Sequence, residues 1–255
     1  MCGPTSLANI GLFLGLTCLA LGQATLAVDG DPVSKSAAPL VDKMGRAQAE
    51  NRPQASYREV LKYRIFPSNN LNSASEILAE VDFQPPRTKR YAIQKTSGSR
   101  RAEQVVRSIL DHEVEASAQG RDVPSAAVMK DKYDLTYLGE DVLEGHPCYL
   151  LALSPKRKEK NLISGEAWVD KDTFLVRQIN GELVKTPSWW LKKVHVKIVF
   201  GFVGGTWLQT STEAMADVRI FGNHTLTAEI VDFRKTLWPK RGQQSTSSSS
   251  STAIV

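Results

Sequence analysis

Alternation of apolar and polar positions dominates the second half of this chain. From Leu191 to Phe200, Val194, Val196, Ile198 and Phe200 fall on one side, with Lys193, His195 and Lys197 on the other. That period of two predicts a strand with one covered face and one wet face. The segments Thr206 to Asp217 and His224 to Phe233 keep the pattern, with many Thr and Ser on one side. Glu144-Gly145-His146, Pro155 to Glu159, Asp170-Lys171-Asp172, Gly204-Gly205 and Phe221-Gly222-Asn223 supply turn residues at hairpin spacing, so Lys132 to about Arg234 reads as an antiparallel meander. Upstream, Tyr57 to Ile65, Ile77 to Phe83 and Lys89 to Gln94 read as three more strands, the last two separated by a Pro85-Pro86 turn.

Two stretches switch to helical spacing. Val33 to about Ala49 carries Leu40, Val41, Met44 and Ala47 on one stripe and ends at Asn51-Arg52-Pro53. Ser99 to Ala118 carries Val105, Val106, Ile109, Leu110 and Val114, with Ser99 and Glu103 near a capping pattern. The predicted fold class is mainly β with α (α+β): a curved antiparallel sheet of about nine to eleven strands with two helices covering its apolar face. A sheet of that width curls and can enclose an apolar cavity. A filled core would give the same alternation, and on the pattern alone the filled core is favoured.

Residues 1–27 form a predicted signal peptide. Leu7 to Ala27 holds no charge, the apolar run centres on Leu12 to Leu21, and Thr25-Leu26-Ala27 offers small residues at −3 and −1. About 20 apolar residues could also serve as an uncleaved anchor, but Gly11, Gly15 and Gly22 with the small-residue exit favour cleavage. A lipoprotein signal is rejected, since Leu16-Thr17 precedes Cys18. One domain over residues 28–240 and a disordered Ser/Thr-rich tail over 241–255 follow. Cys2 and Cys18 fall in the signal, leaving Cys148 alone in an apolar run, the setting of a core thiol rather than a nucleophile.

With 42% hydrophobic and 23% charged residues over 255, collagen-like, coiled-coil and wholly disordered chains are excluded. The net charge of +5 is a modest basic bias. Export argues against nucleic acid as a partner, and the basic groups around Arg87 to Arg101 and Lys156 to Lys160 read as solvated faces first, and as contacts with anionic lipid head groups or an acidic partner second. Chemistry is scarce. His112, His146, His195 and His224 show no metal-ligand spacing, so no metal and no cofactor are expected. No nucleophile–base motif occurs. Asp170 and Asp172 read as a solvated turn rather than a catalytic pair, and Asn223-His224-Thr225 matters as a sequon only in a eukaryotic source. The expectation is a non-enzyme. All five tryptophans lie in the second half; Trp189 and Trp190 are neighbours and cannot both enter one core face, so at least one belongs at a rim.

The stretch from Tyr149 to Arg234 resembles the outer-membrane lipoprotein-sorting proteins of the LolA-like class. The resemblance is carried by Tyr149-Leu150-Leu151-Ala152-Leu153, Gly165-Glu166-Ala167-Trp168-Val169-Asp170-Lys171, Phe174-Leu175-Val176-Arg177, Pro187-Ser188-Trp189-Trp190, Gly204-Gly205-Thr206-Trp207-Leu208 and Ala216 to Gly222. It implies an unclosed β-barrel lidded by helices. It also implies a periplasmic carrier of lipoprotein acyl chains or other lipids, with export or acceptor proteins at the membrane as partners. The alternative it leaves is an envelope-stress or regulatory module on the same fold. Release would involve the Ser99–Ala118 helix as a lid. If a cavity exists, Ile163, Val169, Val194, Val196, Ile198 and Phe200 line it, with Trp189 or Trp190 at the mouth.

Overall fold

A computed structural model describes residues 37–236 except 69, 119–127, 160, 161 and 221. The expected signal peptide and tail, and the start of the first predicted helix at Val33, lie outside the described residues. The elements are α1 (Ala38–Glu50), β1 (Tyr57–Pro67), β2 (Ser75–Gln84), β3 (Thr88–Ser97), α2 (Arg100–Ala118), β4 (Tyr133–Leu143), β5 (His146–Pro155), β6 (Ile163–Asp170), β7 (Val176–Leu183), β8 (Leu191–Val203), β9 (Thr206–Val218) and β10 (Gly222–Lys235). Among the described residues, no helix is long and apolar enough to cross a membrane.

All ten strands form one curved antiparallel sheet in the order β3-β2-β1-β10-β9-β8-β7-β6-β5-β4. β3 and β4 are its free edges, so the barrel is unclosed. The register can be followed across the sheet from Ile77 through Tyr63, Ala228, Thr212, Ile198, Ile179, Ala167 and Leu151 to Tyr137. Directly opposed residues send their side chains to the same side, so this row defines an inner face. Hairpins close where the sequence supplies the left-handed conformation. Glu144 and Gly145 (φ 51 and 83) turn β4 into β5, and Gly204 and Gly205 (φ 55 and 74) turn β8 into β9. Two central residues at positive φ match the natural twist of a hairpin.

Both helices serve the inner face, at different ends of the strand order. α2 lies on β2 and β3. Its Ala102, Val106 and Leu110 are buried with Tyr63, Ile77, Ala79 and Val81. Its start is fixed by Ser99, whose Oγ accepts from the Ala102 amide at 3.2 Å. α1 sends Met44 into a larger cluster built mainly from β5 to β9.

In β6 and β7, Gly165 opposes Gly181 on the inner face. A Cβ at Gly165 would overlap Asn180 O and the Gly181 Cα. The obstacle is backbone, which cannot swing aside like a side chain. Gly165→Ala is expected to cost about 2 kcal/mol or more, read as a lower urea midpoint with an unchanged slope.

Candidate functional site

The structure brings six of the eight expected lining residues together. Ile163, Val169, Val194, Val196, Ile198 and Phe200 all belong to the cluster around Met44, and each is at most 8% exposed. They pack against one another and against the helix. Trp189 and Trp190 are elsewhere, in the β7–β8 connection, and Trp189 is 80% exposed.

The inner face opens in two other places. Between the α2 cluster and the α1 cluster, Thr212 and Ala214 of β9 and Leu226 and Ala228 of β10 are only partly buried. They form a strip of mostly small residues between the two helix-covered regions. At the opposite margin, an open groove of about 460 Å³ runs beside the start of α1. One wall is Ala37, Pro39, Leu40 and Lys43; the other is Tyr137, Glu140, Tyr149 and Phe174. That volume lies within the range of about 300–1,000 Å³ typical of small-molecule sites.

Four segments build this groove. Tyr137 and Tyr149 face inward from β4 and β5 and meet edge to face, with ring centres 6.3 Å apart. Phe174, in the β6–β7 turn, stacks on Tyr149 at 6.4 Å and 15°. Lys43 of α1 places its Nζ 4.7 Å from the centre of the Phe174 ring, and Lys171 lies 5.3 Å from that of Tyr149. Such cation–aromatic contacts hold ammonium groups at the edge of an apolar surface. Lys171 is also paired with Glu140, whose hydrogen bond holds its pKa above the ordinary lysine value. Leu40, Tyr137 and Tyr149 pack against the main core. The groove is therefore the open margin of that core, with an apolar floor, the Lys43 ammonium at its rim and the Lys171–Glu140 pair beside it.

The turn beneath Phe174 departs from expectation. Asp170 is not solvated: it is 2% exposed. Its Oδ1 accepts from the Asp172 and Thr173 amides at 3.1 and 2.8 Å and from Thr173 Oγ1 at 3.0 Å. Its Oδ2 accepts from Arg177 Nε. Burial alone would raise its pKa, but the Thr173 amide and the Arg177 guanidinium outweigh it and hold the carboxyl below its ordinary value.

The remaining reactive side chains are dispersed. Cys148 is fully buried, donates weakly to His146 O at 3.4 Å, and burial pushes its thiol pKa up, which disfavours the nucleophilic thiolate. His195 Nε2 lies 2.8 Å from Asn180 Oδ1 and His224 Nδ1 lies 3.3 Å from Gly222 O. His146 is 3.9 Å from Asp170, and His112 lies on α2. Among the described residues, no group of three or more His, Cys, Asp or Glu is placed to hold a metal ion. The groove residues Lys43, Tyr137 and Phe174 were not candidates on sequence. The available signal was an aromatic pair, Tyr137 and Tyr149, on the inward parity of β4 and β5.

These features define a helix-covered, unclosed half-barrel with an aromatic groove at one margin. The model of a family described as "Uncharacterized protein" matches residues 102–237, more than half of the chain, and the chain belongs to that family. No curated protein matches the sequence. Among solved structures, the chain is similar to a DUF1329 family protein from Desulfovibrio piger, with 15% identity, 78% of this chain and 92% of that one covered, and a TM-score of 0.41. It is also similar to a LolA superfamily protein from Nitrosomonas europaea, with 11% identity, 80% and 94% covered, and a TM-score of 0.40. A third is a putative outer membrane lipoprotein-sorting protein domain from Vibrio parahaemolyticus, with 10% identity, 79% and 94% covered, and a TM-score of 0.41. At such identities and scores the likeness carries no weight for the site, which stands on this chain's own geometry.

Proposed function

We propose that this is an exported, periplasmic binding protein that holds the acyl chain of a lipid or lipoprotein between α1 and the inner face of the sheet, without catalysis. The observation that carries the reading is that the groove beside α1 is continuous with the apolar core through Leu40, Tyr137 and Tyr149. A chain entering there extends an existing hydrophobic cluster, at about 0.8 kcal/mol per buried CH₂. Lys43 at the rim suits a ligand whose polar end is anionic, whereas Lys171 is already paired with Glu140.

α1, rather than α2, is the moving lid. α2 is fastened along its length by polar contacts: Tyr91 donates to Asp111 at 2.6 Å, Lys89 reaches Glu113 at 3.4 Å, and Ser117 donates to Arg87 O at 2.8 Å. α1 has no side-chain cap at its start, buries only Met44 and Ala47, and has its polar ties to the short segment before β4 rather than to the sheet: Lys130 donates to Asp42 at 3.1 Å and Gln48 to Val128 O at 3.3 Å. A lid has to come from the less firmly held element.

Binding of the fluorescent fatty acid cis-parinaric acid to the purified protein, with mass spectrometry of co-purified lipid, tests the reading. Leu40→Glu places an unpaired charge against the apolar floor and is expected to weaken binding at least about tenfold. Tyr149→Ala removes the central ring and is expected to act in the same direction. Absence of both co-purified lipid and parinaric acid binding in the wild type would remove the proposal.

A further inference from the structure

The opposite end of the strands from the groove carries a different feature. Trp189 is 80% exposed, Ile220 81% and Trp190 37%. Trp189 and Trp190 lie in the connection before β8, and Ile220 in the turn before β10. These two segments are bound together: Arg219 donates its backbone N–H to Trp190 O at 3.0 Å and its Nε to Trp189 O at 2.8 Å. The Leu191 amide adds a bond to Ser188 O at 3.1 Å. The backbone is thus fixed while the apolar side chains point outward. Exposed indoles beside an aliphatic residue on a fixed turn form a presented surface rather than loose loop residues that missed the core.

Charge at this end identifies what the surface meets. Lys185 and Arg219 are exposed beside the tryptophans. Lys192 and Lys193 are half exposed or more, against Asp217 and Glu182. The β5–β6 connection, at the same end, adds the exposed run Lys156 to Lys158, of which Lys156 is paired with Asp134 at 3.5 Å. Apolar side chains with amphipathic indoles, ringed by an excess of cations, match the headgroup zone of an anionic bilayer. Trp rings settle at that depth, and each Lys or Arg near an anionic surface adds attraction.

We propose that the Trp189–Trp190–Ile220 rim docks the protein onto an anionic phospholipid surface. The rim is separate from the groove, so this inference stands whether or not the groove takes an acyl chain.

The test mixes the full chain with vesicles of phosphatidylcholine, alone or with phosphatidylglycerol, brominated on the acyl chains. Trp189 is read as the difference in quenching between wild type and Trp189→Phe at vesicle concentrations that saturate both, with the phenylalanine keeping an apolar ring at the rim. Trp189 is expected to be quenched on the anionic mixture and little on phosphatidylcholine alone. Lys185→Glu is expected to weaken this on the order of tenfold, and Ile220→Ser to reduce the depth of quenching. All three variants change exposed side chains, so their melting temperatures are expected to match the wild type. Absence of Trp189 quenching on the anionic vesicles overturns the proposal. Shielding of Trp189 by an envelope protein without vesicle quenching also overturns it, in favour of a protein partner. Parinaric acid binding, measured in separate samples without vesicles, reports on the groove independently.

Discussion

Asp170→Ala is expected to destabilise the protein by about 3–5 kcal/mol and to weaken ligand binding in the groove by the same event. Asp170 ends β6, and its carboxylate organises everything up to β7. One oxygen holds the amides of Asp172 and Thr173, and the other receives Arg177. Its backbone carbonyl accepts from the Phe174 amide at 2.9 Å. Phe174 sits at φ 57, a left-handed conformation that costs a non-glycine residue roughly 1–2 kcal/mol and persists only where the surroundings enforce it. Removing the carboxylate leaves a mostly buried guanidinium without its partner and frees the turn. Phe174 can then leave the groove wall. Asp170→Asn keeps the shape and one acceptor and is expected to lose about half as much. The pH dependence has a fixed sign. A carboxyl held below its ordinary value contributes stability that is present above the unfolded pKa of about 3.9 and is lost as pH falls through the lower folded value. Urea unfolding of wild type and Asp170→Ala at pH 7 and below pH 3 measures it: the gap narrows in acid. An equal gap at both pH values would show that the charge is not what holds the turn.

The contrast between Asp170 and β8 shows which parts of the molecule were legible in the sequence. Val194, Val196, Ile198 and Phe200 announce their shared face because side-chain direction in a strand is set by the neighbouring residues alone. The same local rule puts Trp168 on the face opposite Ala167 and Val169, and the structure has Trp168 half-buried with its indole N–H donating to Asp141 at 2.8 Å. Asp170 looked like one more polar turn residue, because its burial depends on Arg177 and on the neighbouring β4–β5 hairpin, and spacing within the turn carries no trace of either.

The groove was hidden for a related reason. Its walls come from α1, β4, β5 and the β6–β7 turn, and alternation gives the face of each residue but not where the sheet's edge meets a helix. The two tryptophans were half legible. Adjacency showed that one indole had to leave the core, but only the tie between Arg219 and the Trp189 and Trp190 carbonyls sends both to the rim. The helices were legible as elements and not as lids. Amphipathic stripes gave both, whereas the polar fastening of α2 arises from β3 and from Arg87.

Glu59→Gln is expected to stabilise the protein at pH 8 by about 3 kcal/mol relative to its effect at pH 4. Glu59 lies on the inner face of β1, opposite Val81, and is 7% exposed. Burial pushes its carboxyl up to about 7; Lys89 of β3 opposes the shift and Glu113 of α2 adds to it. The unfolded value is about 4.3. Below that both states bind the proton, and the group has no influence on stability. Between roughly 4.3 and 7 the unfolded chain ionises while the folded one keeps its proton, so stability falls steadily as pH rises. Above about 7 the folded carboxyl ionises too, and the loss levels off. The amide keeps nearly the same shape without the ionisation, so the variant escapes that loss. Glu113→Gln removes a neighbouring negative charge, lowers the Glu59 pKa, and is expected to shrink the pH-dependent gap while breaking the Lys89–Glu113 pair that helps fasten α2. Thermal melts of wild type, Glu59→Gln and Glu113→Gln from pH 4 to pH 8 separate the contributions. A wild-type minus Glu59→Gln difference that stays flat across that range would show that Glu59 is solvated and that α2 does not seal this end of the sheet.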